Sequence, residues 1–525
     1  MHRMETTNRT NRADRICTLL YTGSHTTEAQ GEYSLPDYLP DVRRVLRVTA
    51  SPRVTGRYMN GERLELEGNA AVVLLYMAED GTIHSFQNTL PFSQNIAVAG
   101  LDETAVVSVR IHPENASCRL SGPRKCTLRT RLRTSVRATA ERDVTPDTAS
   151  LPGDETLCTR NSAYPACTLI CVSAGDLRYS EDIPVGNAPI SEVLSCTVMP
   201  VVSDARATGG NVVCKGEYLI DALCTVADDN GPAYRCLSRR VPFSETVSAQ
   251  DIPDGCRCEP DLSVVSVTPT ITEEGRGLGV DFAAECAVVC SVDSAVSVMT
   301  DAFLPSSDVR ITSEAVQSYL PVRVTNGNFS AAGSIRQDNG ETVRAIIDCH
   351  MTPTLDHTAC EGGRLILSGT MEINAIAQAE DGTFFPVNGS IPLRWETDAA
   401  GLDAQSMFVT NECRVLSSAA RPDADGTVSC EAELAVLLSA AGLAEVSRPL
   451  SVTVPKDAPK AEKPTCPVLL CYPERGETIW DIARRCRMTP AVICRANDLP
   501  EDTETIPDSI TVLFVPVAQM FSAGE

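Results

Sequence analysis

Residues 68–92 read GNAAVVLLYMAEDGTIHSFQNTLPF, and two later stretches of the chain repeat their pattern. Residues 216–243 read GEYLIDALCTVADDNGPAYRCLSRRVPF, and residues 369–393 read GTMEINAIAQAEDGTFFPVNGSIPL. The glycines that follow the first apolar run are 150 and 151 residues apart, at Gly81, Gly231 and Gly382. A period held this closely indicates a chain built from repeated structural units.

Each copy has the pattern of a β-hairpin. An apolar strand leads to Asp80-Gly81, Asn230-Gly231 or Asp381-Gly382, and a second strand follows. Aspartate-glycine and asparagine-glycine pairs adopt positive φ easily, so we predict type I′ turns at these positions.

The repeat extends on both sides of the hairpin. Upstream, an apolar residue lies six positions before a proline in every copy, as Leu46 before Pro52, Leu194 before Pro200 and Ile347 before Pro353. An apolar opening strand precedes these segments, and a closing strand follows the hairpin. The sequence therefore predicts a mainly β protein with three repeated β-rich domains of about 120 residues, followed by a linker and a small βααβ domain.

The predicted boundaries follow from composition. The three repeats occupy residues 14–140, 164–296 and 319–440, and the intervening segments are rich in Asp, Ser, Thr and Pro. Residues 441–465 form a Pro/Lys/Ala linker, and residues 466–518 form the last domain.

The charge balance restricts the partners. The 525 residues carry a formal net charge of -24, which argues against nucleic acid or an anionic membrane as a partner. The N-terminus lacks the apolar segment of a secretory signal, and no apolar run is long enough to cross a membrane. We therefore expect the chain to remain in a reducing cytosol.

The 22 cysteines are the unusual feature of the composition. The close pairs Cys256/Cys258, Cys167/Cys171, Cys286/Cys290 and Cys466/Cys471 lack the Cys-x-x-Cys spacing and a nearby histidine. We therefore expect no metal and no cofactor. Buried structural thiols are the favoured interpretation, and late oxidative cross-linking is the alternative.

Motifs of catalysis are absent from the sequence. It contains no phosphate-binding Gly-x-x-x-x-Gly-Lys-Ser/Thr loop, no His-Glu-x-x-His and no Gly-x-Ser-x-Gly. We therefore expect a protein that is not an enzyme, although a hydrolase with a site assembled from loops of the repeats is a weaker hypothesis.

The C-terminal segment predicts two short helices between two strands. Apolar residues mark one face of a helix near Ile479, and arginines end it before Cys486. Thr489 and Pro490 suit the start of a second helix, and Asn497 suits its end. Trp480 lies beside the apolar stripe, so we favour a core position for it.

This segment resembles the LysM domain. The resemblance rests on residues 476–480, Ile482-Ala483, residues 497–499 and Ile506-Pro507. In members that bind N-acetylglucosamine polymers, the ligand groove lies between the loop before helix one and the loop after helix two. The resemblance implies a groove for a glycan or a protein partner formed by Gly476, Glu477, Thr478, Ile479, Asn497, Asp498, Leu499 and Pro500.

The whole architecture resembles the SipL-like family of spore coat morphogenetic proteins, whose repeats are SPOCS domains shared with the coat protein SpoVID. Residues 39–42, Leu-Pro-Asp-Val, and the hairpin of residues 68–92 carry this resemblance. It implies a scaffold in the mother-cell cytosol and later in the coat. Such a scaffold docks through LysM onto the coat ATPase SpoIVA and anchors the coat to the forespore surface. Peptidoglycan binding through LysM is the alternative.

Two groups of arginines are further candidates for partner contact. One lies along a predicted strand, where alternate positions share a face, and consists of Arg129, Arg131 and Arg133. This stripe is either a solvated strand face or a dock for an acidic coat protein. The other group lies in the last domain and consists of Arg484, Arg485, Arg487 and Arg495.

Overall fold

Three groups of six strands, here called units 1, 2 and 3, make up most of the protein. The computed structural model describes residues 14–152, 156–186, 188–228, 231–336, 341–402, 406–423, 426–456, 466, 468–507 and 509–516. Unit 1 contains β1 (Arg15–Ser34), β2 (Val42–Asn60), β3 (Arg63–Ala78), β4 (Ile83–Ala97), β5 (Val106–Gly122) and β6 (Lys125–Asp143). Unit 2 contains β7 (Cys158–Pro184), β8 (Ile190–Thr208), β9 (Gly210–Asp228), β10 (Gly231–Ile252), β11 (Arg257–Thr272) and β12 (Gly277–Phe303), with a 3₁₀ turn at Glu273–Gly275.

Unit 3 and a small C-terminal module complete the described chain. Unit 3 contains β13 (Arg310–Arg336), β14 (Val343–Glu361), β15 (Arg364–Ala379), β16 (Phe384–Asp398), β17 (Met407–Pro422) and β18 (Thr427–Thr453). The module contains β19 (Val468–Cys471), α1 (Ile479–Cys486), α2 (Pro490–Ala496) and β20 (Leu513–Pro516). The prediction of a mainly β protein with repeated sheets is confirmed.

Each unit is a sandwich of two antiparallel three-stranded sheets. In unit 1 the sheets are β2-β3-β4 and β5-β6-β1, and the strands of units 2 and 3 pair in the same order. A bridge between Thr18 and Ser318 joins the second sheets of units 1 and 3 into one six-stranded sheet. Alternate side chains of β3, among them Ala70, Val72 and Leu74, are fully buried between the sheets because successive strand residues point to opposite faces.

The hairpin turns differ from the prediction. The Gly81 N–H donates to the Ala78 carbonyl (3.1 Å), and the Ala78 N–H donates to the Thr82 carbonyl (2.9 Å). Only the third loop residue, Gly81, has positive φ, at 84°. The loop is therefore a type I turn followed by a left-handed glycine, and the predicted type I′ turn is wrong. The Asp80 carboxylate accepts from the Thr82 N–H, which holds this form.

The third copy repeats the first. Gly382 has φ 85°, and its N–H donates to the Ala379 carbonyl (3.1 Å), so the type I′ prediction is wrong there as well. In the second copy, Asn230 lies outside the described residues.

Several strands continue beyond the boundaries that composition indicated. β12 extends to Phe303, β13 begins at Arg310, and β18 extends to Thr453. The division of the chain into domains stays a prediction. In the part of the chain that the structure describes, no helix has the length and apolarity needed to cross a membrane.

Equivalent residues of the three units meet in one apolar cluster, here called the axial cluster. It brings together Leu46, Leu194 and Ile347; Leu75, Leu223 and Ile376; and Ile83, Tyr234 and Phe384. The members of the first set each occupy the extra residue of a β-bulge, in β2, β8 and β14. A bulge redirects a side chain, so these residues leave their own sandwiches and pack against the neighbouring units.

A nearly buried carboxylate also joins the units. Glu259 on β11 accepts from Arg137 (2.8 Å) and Arg110 (3.3 Å) of unit 1, and their side chains are 9–13% exposed. Burial tends to raise the pKa of Glu259, but the two guanidinium groups and Ser439 of unit 3 hold it below the usual value. Arg137 also lies over the ring of Tyr319 in unit 3. One residue of unit 2 thus contacts both other units.

Charges of both signs occupy equivalent positions beside Glu259. Arg110, Asp261 and Glu412 each lie four residues before the extra residue of a β-bulge, in β5, β11 and β17 respectively. Burial tends to raise the pKa of Glu412, but Arg414 and Arg110 hold it below its usual value. Burial and then the charge of Arg414 lower the pKa of His112 to about 4. The contact between the units is therefore ionic on this side and apolar at the axial cluster.

Replacing Leu223, which is 2% exposed, tests the axial cluster. We expect Leu223→Ala to lower the free energy of unfolding by about 2–5 kcal/mol, because it leaves a cavity where three units meet. Urea denaturation measures this loss, and Leu450→Ala at a residue 38% exposed is the control. Equal denaturation midpoints for the two variants would contradict the assignment.

Replacing Glu259 tests the ionic contact. We expect Glu259→Gln to destabilise the protein by about 3–5 kcal/mol, because two desolvated arginines lose their counter-charge. Glu28→Gln is the matched control, since Glu28 also binds two arginines, Arg129 and Arg131, but at an exposed surface. Thermal unfolding at neutral pH measures both variants. A Glu259 variant as stable as the Glu28 variant would contradict the prediction.

Candidate functional site

The C-terminal module begins its first helix with a reciprocal cap. The Thr478 Oγ1 accepts from the Asp481 N–H (3.2 Å), and the Asp481 carboxylate accepts from the Thr478 N–H (2.9 Å). The hydrogen bonds from Thr478 hold the pKa of Asp481 below its usual value. The helix ends at Cys486 because Arg487 adopts the left-handed conformation, with φ 58°.

The second helix matches its predicted limits. It begins at Pro490 after Thr489 and ends at Ala496, with Asn497 as the C-cap residue. The Asn497 amide donates to the Phe514 carbonyl (2.8 Å), and its oxygen accepts from the Phe514 N–H (2.8 Å). The Asn497 side chain therefore makes the two backbone hydrogen bonds that a neighbouring strand would make. These bonds attach α2 to β20.

The predicted groove residues divide into structural and accessible ones. Ile479 is 1% exposed and belongs to the module core, while Glu477 accepts from the Glu474 N–H (3.0 Å) and binds Arg485. Thr478 and Asn497 serve as the caps described above, and Leu499 packs against the module core. The accessible positions are Gly476, Asp498 and Pro500.

The module packs against the end of unit 2 through Trp480. The indole N–H donates to Asp301 on β12 (2.9 Å), and its ring meets Phe303 edge-on, with centroids 5.1 Å apart. Trp480 is 8% exposed and Phe303 is fully buried. The predicted burial of Trp480 is confirmed, and its contacts with Asp301 and Phe303 come from a distant part of the chain, which sequence spacing could not indicate.

The four module arginines predicted for partner contact all have carboxylate partners within the chain. Arg484 binds Asp301 at the end of unit 2 (2.7 Å), and Arg487 binds Asp308 in the segment between β12 and β13 (2.9 Å). The other two bind within the module, Arg485 to Glu477 and Arg495 to Glu501. Their proposed role in partner contact stays a prediction, and a partner would have to displace these ion pairs.

The arginine stripe on β6 is paired in the same way. Arg129 and Arg131 bind Glu28, and Arg133 binds Glu114. The three side chains are about half exposed and lie on the outer face of the sheet, as strand alternation predicts. A role in binding an acidic partner stays a prediction.

The module presents an apolar outer face that the sequence analysis missed. Four large side chains of β19, β20 and the residue after β19 are exposed by 46–68%, namely Val468, Leu470, Tyr472 and Phe514. Leu470 and Phe514 lie opposite each other in the strand pair. The sequence signal for this face was the alternation in β19, where Leu469 packs inward and its neighbours point outward. Exposed apolar groups at this density are typical of a contact surface.

The Arg124 side chain makes several hydrogen bonds to the loop before β2. Arg124 donates to the carbonyls of Pro36 (2.7 Å) and Leu39 (3.0 Å) and to the Asp41 carboxylate (2.8 Å). This arrangement leaves Tyr38 at the loop tip 83% exposed. The Leu-Pro-Asp-Val segment therefore forms an ordered loop that presents an aromatic ring.

Three thiols lie together where the start of β11 pairs with the middle of β12. The Sγ atom of Cys258 is 4.0 Å from that of Cys256 and 3.8 Å from that of Cys290. The Cys290 hydrogen bond lowers the pKa of Cys258 to about 7, against the effect of burial. The sequence analysis paired Cys290 with Cys286 instead, because the register between the two strands was unknown.

Comparison with protein-family models matches residues 41–121 to the family described as SipL, SPOCS domain. The matched segment contains β2, β3, β4 and nearly all of β5. No curated protein matches the chain. The match supports the resemblance of unit 1 to SPOCS domains, whereas the LysM resemblance of the module and the relation to SpoVID stay predictions.

Proposed function

We propose that this chain is a non-enzymatic scaffold in endospore coat and envelope assembly. It docks through its C-terminal module onto the coat ATPase SpoIVA and anchors the coat to the forespore surface from the mother-cell cytosol. The SPOCS match over residues 41–121 is the observation that carries the proposal. The three-unit body and the module that packs against its second unit support a role in holding partners together.

The module is proposed to be a LysM domain. The order β19, α1, α2, β20 and the caps at Thr478 and Asn497 support this assignment. Because the module is covalently linked to the three units, its binding to a partner raises the effective concentration of the units at the partner surface. Weak lateral contacts of the units then become effective without any new contact.

The outer face of β19 and β20 is the proposed contact surface for SpoIVA. The opposite side of the module, with Trp480 and Arg484, is occupied by unit 2. The outer face keeps its large apolar side chains exposed. Burying apolar area of this kind provides most of the free energy of protein association.

Peptidoglycan binding is the second candidate function. It is favoured by the accessibility of Gly476, Asp498 and Pro500, which lie in the two loops that the LysM resemblance assigns to the groove. These loops are distinct from the helix face that contacts unit 2.

Deleting residues 466–525 tests the scaffold proposal. We expect the truncated chain to keep its three-unit fold but to lose co-purification with SpoIVA and localisation at the forespore of sporulating cells. Circular dichroism checks the fold, and fluorescence microscopy with affinity purification measures the loss.

The same two chains separate the candidate functions. Retention of the full chain, but not the truncated chain, on insoluble peptidoglycan, with no binding to SpoIVA, would support the glycan function instead. Correct localisation of the truncated chain would contradict the docking proposal.

Phe514→Glu tests the proposed contact surface. We expect affinity for purified SpoIVA to fall by about ten-fold or more, because the new charge would be buried against an apolar partner. Phe514 is 52% exposed, so the fold should be unaffected. Tyr58→Glu, at a residue 53% exposed on unit 1, is the matched control. Unchanged affinity of the Phe514 variant would place the contact elsewhere on the module.

A further inference from the structure

The three-thiol cluster has the spacing of a metal-binding site. Cys258 and Cys290 are directly paired residues of antiparallel strands, and Cys256 lies two residues before Cys258. The three Sγ atoms all lie within 4.8 Å of one another. β11, β12 and the segment just before β11 thus bring three sulfur atoms close together.

The observed distances agree with thiolate coordination. A Zn–S bond of about 2.3 Å places neighbouring sulfur atoms of a tetrahedral ion roughly 3.8 Å apart, and those of a trigonal ion about 4.0 Å apart. The two closest pairs in the cluster are 3.8 and 4.0 Å apart. A disulfide would engage only two of the three sulfur atoms and would require a separation of about 2.05 Å.

The position of the cluster suits a soft metal ion. Cys258 and Cys290 are 4% and 0% exposed, whereas Cys256 is half-buried and open to the surface. An ion can therefore enter past Cys256 and be held away from water. Three thiolates satisfy Cu⁺ and leave Zn²⁺ one position for water, and sulfur ligands disfavour Mg²⁺ and Ca²⁺.

We propose that Cys256, Cys258 and Cys290 bind one thiophilic metal ion, Zn²⁺ or Cu⁺. The ion connects the start of β11 to β12 beside Glu259, the residue that contacts both other units. Metal binding to the folded state stabilises it, so the ion raises the stability of unit 2.

Metal analysis of the full-length chain tests the proposal. The protein is purified reduced and without oxygen, loaded separately with Zn²⁺ or Cu⁺, dialysed, and assayed for metal per chain. Cys256→Ser and Cys290→Ser remove ligands, and Cys360→Ser, at a half-buried thiol on β14, is the matched control. Background binding by other thiols is common to all four proteins.

We expect both ligand variants to lose one bound equivalent and the metal-induced rise in melting temperature, while the Cys360 variant keeps them. The ion is identified by the loading experiment, with Zn²⁺ or with Cu⁺, in which the ligand variants bind less metal than the Cys360 variant. Circular dichroism of the metal-free proteins checks folding, and Cys256→Ser suffices if the Cys290 variant does not fold. Equal metal content in all four proteins would overturn the proposal.

Discussion

Glu259 is charged although it lies in a nearly water-free contact between the units. The arrangement of the three units depends on how that charge is balanced. Arg110 and Arg137 approach it from unit 1, and Ser439 approaches from unit 3. Apolar packing in the axial cluster supplies most of the association energy but has little directionality. The ion pairs have defined geometry, and a rotated or shifted unit would leave a desolvated charge unpaired. The association energy and the relative orientation of the units therefore come from different residues of the contact between them.

The repeat pattern made the sheets predictable but not their assembly. Residues 68–92 and their two copies predicted the hairpins, because alternation and turn residues are local properties. Leu46, Leu194 and Ile347 could be aligned in sequence, yet each was indistinguishable from an ordinary strand residue. Only the bulges show that they leave their own sandwiches. The turn type was also missed, since aspartate-glycine serves both two-residue and three-residue hairpin loops.

The same contrast holds for the C-terminal module and the thiols. Pro490 and Asn497 act within a few residues, so the limits of α2 followed from sequence, whereas α1 includes Cys486 and ends at the left-handed Arg487. The contact between Trp480 and Phe303 joins positions far apart in the chain and left no periodic signal. Cys290 meets Cys258 only through the register of β11 against β12. Sequence spacing therefore indicated which residues were unusual but not which of them meet.

The charges at the contact between the units differ from one unit to the next. Three identical subunits around an axis would bring the same residue together three times, so Arg110 would meet two more arginines at its equivalent positions. In the fused chain these positions are Arg110, Asp261 and Glu412, and the charges can attract. Covalent linkage also gives each unit a fixed neighbour, so one unit alone can carry the Tyr38 loop and another can receive the module. Three repeats in one chain can thus take different roles, which three identical copies of one repeat could not.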